Sequence, residues 1–306
     1  MKKLSVAVVG GVNVDIAGTP DTKLLSGDSN PGRVTVTLGG VGRNIAENLS
    51  RLGNRVQLIT ALGGDAHAAR VQESCESLGI GLDYALVDAA GRTSTYLCLN
   101  DAGGEIVAAI ADMEICDRLT PAFLQTRLEV LNAADLVVLD ANLPEESLTF
   151  LASAVTAPLV ADPVSVKKAV KLKKALPHLS LIKPNRPEAT CLTGVEIHTD
   201  WDLPKAADAF FALGMSNVFI SLGSRGVYYH DGHSNGIVPC CPGPVANTSG
   251  CGDAFLAASA AAWAQGSTLE QAARYGQAAA ALCARSMGAV SPDMSQSALD
   301  AILKGA

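Results

Sequence analysis

The sequence predicts an α/β fold, a mainly parallel sheet sandwiched by helices, with a small β-sheet lid beside it. Three observations carry that prediction. Short continuous apolar runs recur at 4–9, 56–61, 136–139, 159–161, 179–182 and 218–222, as expected of strands covered on both faces. Helical segments lie between most of them, at 42–52, 65–78, 121–132, 145–154, 166–176 and 203–213, which is the pattern of βαβ units. Two stretches, 33–38 and 93–110, instead alternate with period two. They predict half-buried strands and a hairpin rather than crossover units.

The first run follows Lys2 and Lys3 but stops at Gly10-Gly11, with Asn13 and Asp15 beyond. It reads as a first strand and not a signal peptide. Asn13 and Asp15 are two apart and in an extended chain point the same way. A carboxylate and an amide aimed together from the end of the first strand suit vicinal hydroxyls; an Asx turn is the plainer alternative. The segment Val34-Thr35-Val36-Thr37-Leu38 precedes Gly39-Gly40 and the helix 42–52. Residues 93–99 pair with 105–110 across Asp101-Ala102-Gly103-Gly104. The lid is drawn from about 14–38 and 92–113, with an antiparallel extension of the main sheet as the other reading. The basic group Lys167, Lys168, Lys171, Lys173 and Lys174 reads as a solvated helix face. Ligands in such sheets bind at the carboxyl ends of the strands.

The loop Asn247-Thr248-Ser249-Gly250-Cys251-Gly252-Asp253 runs straight into an alanine-rich helix. Backbone amides in a first helical turn lack intrahelical partners and carry partial positive charge, so the loop suits an anion. Asp253 would be repelled by that anion and is better explained as a base beside it, taking a proton from a hydroxyl that attacks phosphorus. An acidic N-cap is the alternative. The thiol of Cys251, at a helix start, is open to a lowered pKa, or is simply a small space-filling group.

With 306 residues, 48% hydrophobic and 4% aromatic, the chain has a soluble globular composition. The net charge of −7 and the absence of a long basic run argue against a nucleic-acid partner. The apolar stretch 254–264 is interrupted by Ser259 and falls short of the ~20 residues of a membrane span. Eight scattered cysteines without zinc-ligand spacing suggest free thiols in a reducing cytoplasm. His230 and His233 read as surface residues rather than metal ligands. No Gly-Lys dipeptide exists for a Walker-type loop, and Gly10-Gly11-Val12-Asn13-Val14-Asp15 lacks the third glycine of a dinucleotide fingerprint.

The loop 247–253 resembles the second signature of the ribokinase-like (PfkB) sugar and nucleoside kinases, usually Asp-Thr-x-Gly-Ala-Gly-Asp, with Asn247 and Cys251 as departures. Gly39-Gly40-Val41-Gly42-Arg43-Asn44-Ile45-Ala46, followed by Leu49, Leu52 and Gly53, resembles the first. The resemblance covers essentially the whole chain, 1–306, as one kinase domain. It implies ATP and Mg²⁺ as cofactors, with Asp253 as base and Gly250, Cys251 and Gly252 as the anion hole. It further implies ribose binding by Asn13 and Asp15, with Gly39, Gly40, Asn44 and Asn142 as further sugar contacts. Lys183-Pro184-Asn185-Arg186-Pro187-Glu188 resembles the family's Asn-x-x-Glu motif. Glu188 is then the acid that organises Mg²⁺ through water, and Asn185 a phosphate or metal-water contact; a helix cap with Glu at its third position is the alternative. Ser221, Gly223 and Gly226 resemble the nucleotide-binding turn, otherwise a plain turn, and Gln277 matches a position lining the adenine site. A K⁺ site near residue 247 is put in doubt by Asn247. The resemblance also implies a homodimer through the lid.

Residues 28–32, 39–44, 162–165 and 183–186, together with Asn247, resemble the bacterial branch of that family acting on pseudouridine. The acceptor is then its 5′-hydroxyl, with lid segments 28–32, 93–97 and 109–113 meeting the base. The alternatives are a kinase for another nucleoside or sugar (uridine, adenosine, ribose, fructose) and a non-catalytic nucleoside-binding protein. An NAD-binding dehydrogenase is disfavoured by the missing fingerprint.

Overall fold

Alternation along the strands decides which helices cover which face. A computed structural model describes residues 2–305. β1 (Ser5–Val9) leads into β2 (Asn13–Pro20), β3 (Gly32–Gly39) and helix α1 (Val41–Arg51). β4 (Arg55–Ile59), β5 (Ala61–Gly63), α2 (Ala66–Ser77), β6 (Ile80–Gly81) and β7 (Leu86–Asp88) follow, then β8 (Thr95–Asn100) and β9 (Ile106–Asp112). Short helices α3 (Pro121–Gln125) and α4 (Leu128–Asn132) precede β10 (Leu136–Asp140), α5 (Glu145–Ala154), β11 (Leu159–Asp162) and α6 (Val166–Ala169). After β12 (Leu181–Ile182) come α7 (Arg186–Thr193), α8 (Leu203–Ala212) and the strands β13 (Val218–Ser221), β14 (Val227–His230) and β15 (Asn235–Val238). Helices α9 (Cys251–Ala264), α10 (Leu269–Ala284) and α11 (Gln296–Gly305) complete the described elements.

Nine strands form one sheet in the order β15-β14-β13-β12-β11-β10-β1-β4-β6. Its pairings are parallel from β6 to β13, and β14 and β15 add an antiparallel edge. Val6, Val8, Leu136, Val138, Val160 and Leu181 face α1, α9 and α10, packing on Ile45, Leu49, Phe255 and Ala272. Their alternate neighbours Ala7, Val9, Val137, Leu139 and Ile182 pack on Leu148, Leu151 and Phe210 from α5 and α8. Full burial of each such aliphatic side chain stabilises by ~1.5–3 kcal/mol, so the register is strongly held. A one-residue slip would exchange the two faces.

The period-two segments form a separate four-stranded sheet, β3-β2-β8-β9, rather than an extension of the large one. β2 runs antiparallel to β3 and parallel to β8. Asn13 and Asp15 therefore lie on a strand of this second sheet and not at the end of β1, since Gly10-Gly11-Val12 separates the two strands.

Three expected elements are shorter than the sequence suggests. The helix expected over 121–132 divides between α3 and α4, where Thr126 Oγ1 donates to the Phe123 carbonyl at 2.7 Å and Arg127 stacks over the Phe123 ring. The helix expected over 166–176 keeps only one α-turn before a 3₁₀ segment, Val170–Leu172. Its buried residues Ala169, Leu172 and Ala175 recur every third position, which matches three residues per turn. The strand expected over 179–182 begins only at Leu181, because the Leu179 amide closes a 3₁₀ turn onto Leu176.

Candidate active site

The same alternation that places Leu136, Val138, Val160 and Leu181 under α1 and α9 places the next residues on their strands. Asp140 continues the Leu136–Val138 row, Asp162 continues Val160, and Lys183 continues Leu181. Asp140 and Asp162 are direct partners in the β10–β11 register. The Lys183 amide donates to the Ala161 carbonyl at 3.3 Å. Three charged side chains thus stand together at the carboxyl ends of adjacent strands, where open α/β sheets bind ligands.

Asp140 is spent on architecture. Its Oδ2 accepts from the amides of Gly11 at 2.9 Å and Gly42 at 2.8 Å, and its Oδ1 from the Asn142 amide at 2.8 Å. Helix α1 begins at Gly40 without a side-chain cap of its own. The distant carboxylate supplies one. Burial pushes the Asp140 pKa up, and the hydrogen bonds pull against that rise.

Asn44, in the first turn of α1, donates from Nδ2 to Asp253 Oδ2 at 2.9 Å, while its Oδ1 is buried without a partner. Asp253 is not an N-cap. The cap of α9 is Gly250, in the left-handed region at φ 76°, and it makes no side-chain capping bond. A Cβ there would collide with the Ala289 carbonyl, so glycine is required twice over. Among the described residues, the amides of Gly252 and Asp253 find no acceptor. Burial pushes the Asp253 pKa up to about 8, with Asp162 adding repulsion and Asn44 and Lys183 opposing it. The carboxyl is therefore poised to exchange a proton near neutral pH.

Lys183 pairs with Asp162 at 3.2 Å. Burial alone would lower its pKa, but Asp162, Glu188 and Asp253 outweigh burial and raise it. Glu188 is raised as well, first by burial and then by Asp162. Asn185 and Glu188 form a complete capping box: Asn185 Oδ1 accepts from the Glu188 amide and Glu188 Oε2 from the Asn185 amide, each at 2.9 Å. The cap reading of this motif thus holds. It leaves the carboxyl close enough to Lys183 and Asp162 for mutual electrostatic influence.

On the small sheet, Asn13 Nδ2 donates to Asp15 Oδ1. Gly39 lies opposite Asn13 in register, and a Cβ there would overlap Asp15 Oδ2. Burial raises the Asp15 pKa, against the Asn13 bond and the charge of Arg43. The two side chains do act together, but from a strand and not through an Asx turn. Asn142 is engaged by Lys168 Nζ through its Oδ1, and Lys171 Nζ donates to the Leu143 carbonyl at 2.6 Å. Those two lysines turn inward. The expected solvated face is kept only by Lys167, Lys173 and Lys174.

The remaining candidates are Ser221, Gly223, Gly226, Gln277 and Asn247. Ser221 bridges to Asn185 and donates its amide to Pro184. Gly223 and Gly226 bracket the turn between β13 and β14, and Cys240 Sγ donates to the Gly223 carbonyl. Gln277 lines a cleft of about 680 Å³ with Pro239, Cys240 and Cys241. Asn247 holds its own loop, donating to Met287 O at 3.0 Å and accepting from the Ser249 amide. A hydrogen bond with Cys283 lowers the Cys251 pKa. Among the described residues, no group of three or more His, Cys, Asp or Glu could hold a metal by itself. A cation shared with phosphates needs no such cage. Among the described residues, no helix is long and apolar enough to cross a membrane.

Sequence reasoning missed Asp140 and Asp162 and gave Lys183 no role. The available signal was their position: each is the first charged residue after a buried run, two residues beyond a core side chain.

A parallel sheet with an acid at a helix mouth and a second, small sheet defines a ribokinase-like α/β protein. The pfkB family carbohydrate kinase profile matches residues 3–296, and the chain belongs to that family. It is 36% identical over 293 residues to the pseudouridine kinase of Escherichia coli (strain K12), covering 95% of this chain and 93% of the relative. A carbohydrate kinase from Agrobacterium tumefaciens is 35% identical and superimposes with a TM-score of 0.87, covering 99% of this chain and 97% of that one. The structure of Arabidopsis thaliana ribokinase complexed with ribose and ATP shares the fold, with a TM-score of 0.88 at 24% identity and 99% of both chains covered. The chain is a sugar or nucleoside kinase, a phosphotransferase with an alcohol group as acceptor.

Proposed function

We propose that the protein transfers the terminal phosphoryl group of ATP to the 5′-hydroxyl of pseudouridine, giving pseudouridine 5′-phosphate. The observation that carries the proposal is the Asp253 carboxyl, raised to about 8 and tied to Asn44 beside unpartnered α9 amides. The similarity to a pseudouridine kinase supports the acceptor, and the fold shared with a ribokinase described with ATP supports the donor.

In this reading Asn13 and Asp15 hold the ribose hydroxyls, with Gly39 and Gly40 letting the backbone approach, and Asn44 Oδ1 accepts from the substrate. Asp253 takes the proton of the 5′-hydroxyl. The amides of Gly250, Cys251, Gly252 and Asp253 receive charge that develops on the phosphoryl oxygens. Bound Mg²⁺ supplies charge neutralisation between the donor phosphates, and Glu188 with Asn185 would hold it through water. Ser221, Gly223, Gly226 and Gln277 serve the nucleotide. The small sheet closes over the acceptor as a lid, excluding water. Its exposed apolar residues Val34, Leu97, Ile106 and Ile110 support a homodimer through the lid in this reading.

ATP-dependent phosphorylation across pseudouridine, uridine, cytidine, adenosine and ribose tests the proposal. Pseudouridine is expected to give the highest kcat/KM. Preference for another acceptor would keep the kinase and replace its substrate, and binding without turnover would favour a nucleoside-binding protein.

A further inference from the structure

Lys183 is set in place by three features that no motif for phosphate binding describes. Its alternation with Leu181 aims the side chain at α9, and Pro184 restrains the backbone to an extended conformation. The ammonium is almost fully buried, with its side chain 8% exposed. It lies so close to the first turn of α9 that a Cβ on Gly252 would stand 3.3 Å from Nζ. Glycine at that position leaves nothing between the ammonium and the unpartnered amides.

The charges around it are unbalanced. Asp162, Glu188 and Asp253 all act on Lys183, and Asp140 acts on Asp253. An anionic phosphoryl group arriving at the mouth of α9 therefore enters a field dominated by carboxylates. Arg43 is committed to Glu47 at 2.8 Å, and Lys168 and Lys171 are spent on Asn142 and Leu143. Lys183 has three donors, and its ion-pair partner Asp162 engages one side of it.

We infer that Lys183 is a further catalytic residue, a fixed cation that attracts the transferring phosphoryl group, and that Asp162 is the positioning residue that holds it. The inference rests on the phosphotransfer reading above. In the step, Asp253 accepts the acceptor hydroxyl proton, the hydroxyl oxygen forms its bond to the γ-phosphorus, and the bond from that phosphorus to the β–γ bridging oxygen breaks. ADP leaves with the electron pair. Lys183 stays protonated throughout and contributes attraction to the equatorial oxygens, which carry most charge in the transition state.

The test compares wild type with Lys183→Met and Lys183→Arg, reading turnover, nucleoside affinity by calorimetry, and affinity for ADP with and without aluminium fluoride. Lys183→Met is expected to lower kcat by ~10²–10³-fold, the range for loss of one preorganised donor, with nucleoside affinity within about threefold of wild type. Its gain in ADP affinity on adding aluminium fluoride should shrink at least ~10-fold, and Lys183→Arg should recover part of both. Asp162→Asn should lower kcat less than Lys183→Met does. Equal weakening of ADP with and without fluoride would mark Lys183 as structural and overturn the inference. If Lys183→Met does not fold, the fluoride gain is read on Lys183→Arg, where a gain below that of wild type with affinity for ADP alone unchanged supports the inference, and an unchanged gain or a parallel loss of all ligands refutes it. Wild type inactive on every acceptor would sink the phosphotransfer reading itself. Active wild type with Lys183→Met turning over within threefold of it would sink only the role of Lys183.

Discussion

At the carboxyl ends of β10, β11 and β12 the charged groups are buried against one another, whereas on the small sheet many apolar side chains face outward and Asn13 and Asp15 share one face of β2. The first region is rigid: Asp140 alone ties β1, α1 and β10 together through three amides. Burial first, and then repulsion from Asp162 and Asp140, brings Asp253 into the range of a useful base. The second region has the opposite balance. Val34, Ile106 and Ile110 are 69%, 59% and 68% exposed, so the sheet has apolar surface still to cover. The proposed function puts chemistry in the region where burial perturbs charge, and acceptor choice and assembly in the region left open.

The comparison is broken most severely by Asp253→Asn. Losing the base should lower kcat by at least ~10²-fold, measured with acceptor and ATP saturating. The same variant sharpens the stability side. Asp253 titrates near the ordinary 3.8 when unfolded and at about 8 when folded, so the folded state binds the proton more tightly. By linkage its contribution is fully present below pH 3.8 and is lost as pH rises through about 8. Asn, neutral throughout, escapes that loss. The thermal midpoint of Asp253→Asn relative to wild type should therefore rise between pH 4 and pH 8, and a difference that falls with pH would show that the carboxylate is not strained by burial.

A smaller effect is expected from Asp15→Ala. Removing a charged hydrogen-bond partner of the acceptor should raise its KM by ~10–100-fold, the equivalent of ~1.5–3 kcal/mol, with kcat changed less. Unchanged KM in steady-state kinetics would remove the ribose role from the small sheet. The smallest effect belongs to Ile110→Asp, at an exposed position where substitutions shift stability by only about ±0.5 kcal/mol. It should leave the thermal midpoint nearly unchanged while lowering the association state seen by sedimentation. A variant that sediments like wild type would free this face from the dimer.

Much of this layout was legible in the sequence because its signals are local. Valine-rich runs, the Asp101–Gly104 turn and the loop before α9 each predict their own conformation from neighbours a few residues away. Asn44 and Asp253 were each singled out, and the structure brings them to 2.9 Å across 209 positions. The rest depends on register. Asp140, Asp162 and Lys183 are single charges at the ends of apolar runs, and only strand pairing reveals that they are neighbours. Lys168 misled for the same reason, since helical periodicity is silent about a side-chain amide 26 residues away. The 3₁₀ turns that shorten the expected elements follow from packing period, which propensity does not report.

The pH dependence of kcat/KM for wild type bears most directly on the central assignment, because it reports the pKa of the essential base in the free enzyme. With Asp253 as that base, kcat/KM should climb about tenfold per pH unit below neutrality and level off above about 8. A profile that is flat from pH 6 to pH 9, in a protein that turns over its acceptor, would contradict it.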